Sequence, residues 1–263
     1  MDISNLQGKR TLVTGAGQGI GHAISLALGQ AGASVAVADI DAALAKNTAS
    51  KIESMGCKTM SLEIDVSSLS DIAKMVTGVV RELGGIDVLV NNAGVTRYAH
   101  IMELNESDWD AMHKVNAKGT FFAMQRVAEQ MIKQGNGGRI INIASISGKA
   151  FPGGSNAAYA ASKAAVIAMS SVAALQLGQH DINVNSICPG ITDTPMGDRI
   201  ISQGALAHNE SSEAFVKRRT APIPLGRQNN PDDIAAMTVF LAGPGGRNIT
   251  GQSINVDGGL VMH

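Results

Sequence analysis

The chain predicts an α/β fold: a single domain in which a mostly parallel sheet is covered by helices on both faces. Three observations predict it. Short apolar runs alternate with longer segments of helical periodicity from one end to the other. The short runs are continuously apolar, as strands buried on both faces are. No Pro/Gly/Ser-rich linker and no internal repeat divides the 263 residues, a length that suits one large domain with its own core.

In chain order, Arg10–Thr14 reads as a buried strand and Gly19–Gln30 as a helix. Ser34–Ala38 is the next strand, followed by an Ala-rich helix from Asp41. Lys58–Ile64 and Asp87–Asn91 are strands on either side of a helix over Ser68–Leu83. A long helical region, with room for a kink, covers Ser107–Gln134. Strand Arg139–Ile143, helix Ala158–Leu177 and strand Ile182–Ser186 continue the alternation. A helix over Pro231–Ala242 has proline at its start, where a missing N–H costs nothing. Gln252–Val256 is the last strand. The segment Thr194–Arg227 breaks the rhythm and is too long for an ordinary connection. A lid over a site and a disordered surface loop both fit it, and the lid is preferred.

Composition excludes several classes of function. A formal net charge of -1 gives no electrostatic case for nucleic acid or an anionic membrane as the main partner. The hydrophobic fraction of 44% and charged fraction of 16% are ordinary for a compact soluble protein. No apolar run is read as approaching the ~20 residues that span a bilayer. Met1–Arg10 holds no apolar stretch of signal-peptide type. Cys57 and Cys188 form no metal or redox spacing and are read as reduced thiols of a cytoplasmic protein. The scattered histidines give no ligand cluster, so no catalytic metal is expected.

The turn Thr14-Gly-Ala-Gly-Gln-Gly-Ile-Gly21 lies between the first strand and the first helix. Strict G-x-G-x-x-G fails, because counting from Gly15 and Gly17 places Ile20 third. Gly15, Gly19 and Gly21 fit G-x-x-x-G-x-G instead. Such glycines let backbone approach a pyrophosphate, and the helix N-terminus offers free amides and a positive dipole end. Asp39 ends the second strand, where a carboxylate can hold both hydroxyls of an adenosine ribose and repel a phosphate on it. Ala16, Gln18 and Ile40 supply no cation for such a phosphate, so NAD is expected over NADP. The plain alternative is that Asp39 only caps the next helix.

With Asn91-Asn-Ala-Gly94, Asn116, Ser145, Tyr159-x-x-x-Lys163 and Pro189-Gly-x-x-x-Thr194 added to the glycine turn, nearly the whole chain resembles the short-chain dehydrogenase/reductase family. The resemblance implies a Rossmann-type doubly wound sheet of about seven strands, in agreement with the strand count above. It implies a catalytic set of Asn116, Ser145, Tyr159 and Lys163. It implies cofactor contacts from Gly15, Gln18, Gly19, Ile20 and Gly21, from Asp39 and Ile40, and from Asp65 and Val66 beside the adenine. Asn92, Ala93 and Gly94 would line the cofactor, and Pro189, Gly190, Ile191 and Thr194 would lie by the nicotinamide and phosphate, with Tyr159 and Lys163 also touching it. One departure is that Ser145 stands 14 residues before Tyr159, whereas Ser147 stands 12 before it, closer to the usual spacing. Ser145 follows Asn142-Ile-Ala at a strand end and is preferred, with Ser147 as a pocket residue.

Tyr159 and Lys163 share one face of a helix. A phenol of pKa ~10 is a poor base at neutral pH. A neighbouring ammonium is expected to pull it down, against burial, which opposes the phenolate. Ser145 can hydrogen-bond the same substrate oxygen, and the resemblance implies a water-linked bridge from Asn116 to Lys163. The expected partner is a secondary alcohol or ketone of small size. Ser147, Gly153, Gly154, Ser155 and Asn156 form one expected wall, with Val95, Thr96, Arg97 and His100 opposite. This lining points to a polyol or sugar alcohol more than a steroid. A 3-oxoacyl-thioester reductase and a non-catalytic dinucleotide sensor are the rival readings. Lys217-Arg-Arg219 could attract an anionic substrate, although a solvated charged face explains it more simply. The apolar helix Ala158–Leu177 wants cover on most sides; the resemblance implies a homotetramer built partly on it, and burial under the lid segment is the alternative.

Overall fold

A computed structural model of the chain describes residues 3–151 and 155–262. The strands are β1 Arg10–Thr14, β2 Ser34–Asp39, β3 Thr59–Glu63, β4 Val88–Asn91, β5 Gly138–Ile143, β6 Ile182–Pro189 and β7 Ser253–Val256. All pair in parallel, in the order β3-β2-β1-β4-β5-β6-β7. The order reverses between β1 and β4, where Val13 is flanked by Val37 and Val90. Crossovers leaving β1 and β4 run to opposite sides at that point, so a crevice opens beyond the strand ends.

The helices are α1 Gly19–Gln30, α2 Ala42–Ser54, α3 Leu69–Leu83, α4 Glu106–Met112, α5 Thr120–Gln134, α6 Ala157–Leu177, α7 Pro195–Ala207, α8 Ser212–Thr220 and α9 Pro231–Ala242. Strand side chains alternate between two cores. Val13, Val37, Val90 and Ile141 pack under α1, α2 and α9 through Ile24, Leu28, Ile52 and Ile234. Leu12, Leu89 and Ile140 pack on the other face against Ile72, Met75, Val127 and Met131 of α3 and α5. Each such fully buried side chain contributes roughly 1.5–3 kcal/mol relative to exposure. The ends are set locally. Asp41, Ser68, Asn156, Thr194, Ser211 and Asn230 cap helices with side-chain oxygens.

Every strand and long helix read from the sequence is present, with ends moved by a residue or a few. The long region after β4 is broken where room for a kink was left: a π-helical stretch, His113–Gly119, joins α4 to α5. The segment after β6 is neither a bare loop nor irregular, because α7 and α8 occupy most of it. The reading that no apolar run reaches membrane length needs correction. Ala157–His180, 24 residues that include an 18-residue window of mean hydropathy 1.4, is long and apolar enough by length and composition. Its Ser162, Lys163 and Ser170 are nonetheless buried against the protein, and its Val166 and Ala174 pack into the cores.

Candidate active site

A cleft of about 390 Å³ opens at the order reversal, floored by the glycine turn and walled by the ends of β2, β4, β5 and β6. Gly15, Gln18, Gly19, Ile20, Asp39, Ile40, Asp65, Val66, Asn92, Ala93, Gly94, Pro189, Gly190, Ile191 and Thr194 all line it, as the sequence pattern expects. Gly21 does not. A Cβ there would strike the Gly15 carbonyl oxygen and the Asn92 side chain. Its task is to let α1 press against the turn, so the expected cofactor contact is corrected to a packing role. Gly15 adopts φ +60°, and a Cβ on it would stand 2.7 Å from Ala93 Cα, so only glycine fits that close crossing. Thr14 and Asn92 lock the same crossing. Thr14 Oγ1 accepts from the Asn92 and Ala93 amides at 3.1 and 3.2 Å, and Asn92 Nδ2 donates to the Gly15 carbonyl at 2.7 Å.

The α1 N-terminus fits a phosphate. Gln18 offers it no side-chain cap, and its first turn holds no acidic residue, so its amides face the cleft without a side-chain acceptor. Asp39 is not a helix cap, because Asp41 caps α2 by accepting from Ala43 and Leu44. The Asp39 carboxylate instead accepts from the Gly17 amide at 2.8 Å and the Asp41 amide at 3.0 Å, while still lining the cleft. Gly17 was not singled out in sequence. A Cβ on it would lie 2.6 Å from Leu44 Cβ and 2.9 Å from Asp39 Oδ2, a constraint that exists only once β2 lies beside the turn. Asp65 holds Ser67, accepting from its amide and hydroxyl at 2.8 Å each.

Ser145, Tyr159 and Lys163 meet on the opposite wall. Asn156 caps α6 by accepting from the Tyr159 amide at 2.7 Å, which fixes where the helix begins and where the phenol sits. Ser145 adjoins the Tyr159 phenol closely enough to favour its phenolate. Ser147 is turned differently: it lines the cleft, and its amide donates to Ser145 Oγ at 3.1 Å. Lys163, 4% exposed, donates to the Ile143 carbonyl at 2.7 Å, and its Nζ stands 5.8 Å from the centre of the Tyr159 ring. Burial works against the acidified phenol that the sequence leads one to expect. Burial pushes Tyr159 up to about 12, with Ser145 opposing it, and burial brings Lys163 down to about 8. Desolvation is the largest influence on both groups, disfavouring the phenolate and the ammonium alike. The buried thiol of Cys188, read from the sequence only as a reduced cysteine, also adjoins both groups and is itself pushed up by burial.

Asn116 sits inside the π-helical stretch, a distortion that often marks functional positions. Its side chain is fully engaged, accepting from the Val95 amide at 2.8 Å and donating to the Val95 carbonyl at 3.0 Å and Ser162 Oγ at 2.9 Å. A Cβ on Gly94 would meet Asn116 Oδ1 and Lys163 Nζ at 3.4 Å each. Asn116 therefore stands one glycine away from Lys163 and fixes the Val95 backbone in the loop after β4.

Part of the expected substrate wall is corrected. Val95, Ser147 and Ser155 line the cleft, whereas Gly153 and Gly154 lie outside the described residues. Thr96, Asn156, Arg97 and His100 are braces. Thr96 Oγ1 bonds Ser155 Oγ at 2.7 Å, and Asn156 Nδ2 donates to the Arg97 carbonyl at 2.6 Å. Arg97 pairs with Asp108 at 2.6 Å, and His100 starts a short 3-10 turn. Local polarity suggested contact, but these polar atoms are consumed in tying two loops together. Phe151 and residues of α7 and α8, including Met196, Ile200 and Arg219, complete the wall.

Fold and site together define a dinucleotide-dependent oxidoreductase. A family profile described as enoyl-(acyl carrier protein) reductase matches residues 15–261. The 3-oxoacyl-(acyl-carrier-protein) reductase of Thermotoga maritima is 40% identical, over 98% of this chain and 99% of its own. The sorbitol dehydrogenase of Cereibacter sphaeroides is 38% identical over 98% and 99%. A solved NAD+-bound xylitol dehydrogenase superposes with a TM-score of 0.92 at 31% identity, covering 96% of this chain and 99% of that one. The chain belongs to the short-chain dehydrogenase/reductase family and acts on alcohols and ketones with a nicotinamide dinucleotide.

Proposed function

We propose that the chain interconverts a small polyhydroxylated secondary alcohol and its ketone with NAD, using Tyr159, Ser145, Lys163 and Asn116. The observation that carries this reading is that Ser145, Tyr159 and Lys163 line one cleft with the glycine turn and Asp39. Bound NAD supplies the hydride acceptor, or in reverse the donor. Tyr159 Oη takes the proton of the substrate hydroxyl, or returns it to the ketone oxygen. Ser145 Oγ orients that oxygen. Lys163 favours the phenolate when charged and holds the nicotinamide ribose, and Asn116 is a positioning residue that keeps Val95 and the Lys163 surroundings fixed. Asp39, with its oxygens aimed by two backbone amides, holds the adenosine ribose hydroxyls and repels a phosphate there. Helices α7 and α8 act as the lid.

A screen of polyols, hydroxy acids and hydroxyacyl thioesters with both cofactors tests the reading. Polyol turnover with NAD favoured over NADP by about a hundredfold in kcat/KM is expected. Asp39→Ala narrows that gap at least tenfold. Thioester turnover alone would transfer the chain to the rival reductase class, and comparable KM values for the two cofactors would remove Asp39 from its role.

We further propose a homotetramer. Val172 and Leu175 of α6 are 57% and 85% exposed, and neither α7 nor α8 covers them, so apolar surface remains on the helix that carries Tyr159. Light scattering on the eluted protein gives four times the 27.1 kDa chain mass; a monomer rejects the assembly.

A further inference from the structure

The three consecutive cations Lys217, Arg218 and Arg219 of α8 have separate fates in the structure. Lys217 is exposed to solvent. Arg218 turns outward to an ion pair with Glu210 at 2.6 Å. Arg219 is half-buried, lies with its guanidinium carbon 5.5 Å from the centre of the Phe215 ring, and lines the cleft that contains Ser145 and Tyr159.

Charge along that cleft is segregated. Its acidic lining residues, among those described, are Asp39 and Asp65, both at the β2 and β3 ends. Its cationic ones are Lys163, Arg199 and Arg219. The end where the ribose is expected is therefore negative, and the end under α7 and α8 is positive. Burial is what most disfavours the Arg219 charge, and Arg218 opposes it further. Phe215 links Arg219 to Tyr98, whose ring centre stands 5.9 Å from that of Phe215, and the Tyr98 segment continues into Ala99, whose amide donates to the Ser155 carbonyl at 3.2 Å, just before α6 and Tyr159. A partly desolvated guanidinium in the cleft that holds the reacting groups binds a planar oxyanion through paired, charge-assisted hydrogen bonds better than it binds hydroxyls.

We infer that Arg219 is a specificity-determining residue and that the substrate is a hydroxy acid of the polyol type, carrying an oxyanion near the carbon that is oxidised. Carboxylate and phosphate share this chemistry. The inference rests on the proposed polyol reading and narrows it.

Matched substrates decide it. Xylitol, sorbitol and galactitol are compared with the corresponding aldonates and polyol phosphates. The native enzyme is expected to prefer an anionic member over its neutral partner by at least about tenfold in kcat/KM, and which anion wins identifies the source. Arg219→Gln collapses that ratio towards one, chiefly through KM. Arg219→Lys keeps part of it, which separates charge from folding. Lys217→Gln, on the solvent side, keeps the native ratio. A neutral partner equal to or better than its acid overturns the inference, as does an unchanged ratio in Arg219→Gln or an equal collapse in Lys217→Gln. If no polyol or aldonate is turned over, the polyol reading fails by itself, and Arg219 is then read by binding. Tartrate and tartaric diamide are titrated against the fluorescence of enzyme-bound reduced cofactor. At least tenfold tighter binding of tartrate, lost in Arg219→Gln, upholds the oxyanion site; equal binding removes it.

Discussion

Replacing Tyr159 by phenylalanine is expected to lower kcat about a thousandfold, the middle of the range for a general acid–base group, and to leave cofactor affinity within about twofold. The substitution removes one oxygen. The ring keeps its packing, and the cap from Asn156 reaches the backbone amide at this position, not the side chain. Ser145 remains where its own backbone and the Ser147 amide hold it. The glycine turn, the open α1 N-terminus and Asp39 stand on the far side of the cleft and are untouched. Single-turnover hydride transfer measured beside a fluorescence titration of reduced cofactor separates the two effects. A variant that turns over at a tenth of the native rate or better would place proton transfer on another group, and a variant that loses cofactor binding as well would show that the phenol's main task is to support the fold of the cleft.

The same cleft shows what could be read from residues alone and what could not. Local signals were sufficient wherever chemistry and position coincide within one element. Val35–Val37 announces a buried strand, Tyr159 and Lys163 share a helix face, and Thr194-Pro195 marks a helix start that the structure fills with α7. That last signal, with Ser211 before α8, was available for the segment that looked irregular; the prolines and glycines in it obscured it. Contacts made by distant segments were not available. Strand β6 runs on to Pro189 because Pro189 pairs with Val256 of β7. Gly17 is required because β2 delivers Asp39 and α2 delivers Leu44 beside it. The polarity of Thr96 and Asn156 suggests substrate groups, but their hydrogen bonds close on Ser155 and Arg97. The balance between burial and charge at Tyr159 is of the same kind: the residue spacing shows that a cation is near, but only the packed structure shows that desolvation is the largest influence on the phenol.

Lys163→Met turns that balance into an experiment with opposite effects on stability and rate. Lys163 has its pKa lowered from 10.5 to about 8 by burial. The unfolded chain therefore holds this proton up to about pH 10.5 while the folded chain releases it near 8. Between those values the unfolded state binds more protons, so stability rises with pH. Below pH 8 the burial of the charged form is a standing cost of about 3 kcal/mol by the same difference. Tyr159, raised from 10.0 to about 12, acts in the other direction, because the folded chain keeps a proton that the unfolded chain loses, and stability falls over that higher range. Methionine has similar length and no charge. The variant is expected to melt at pH 7 no lower than the native protein and to lose the rise in Tm between pH 8 and 10. Its kcat/KM should fall at least a hundredfold, since the variant lacks the cation that favours a neighbouring phenolate. Because the group that costs stability is the one the proton transfer needs, the two measurements must separate. A Lys163→Met protein that is less stable at pH 7 yet retains most of its rate would show instead that the lysine serves the fold through its bond to Ile143 and not the chemistry.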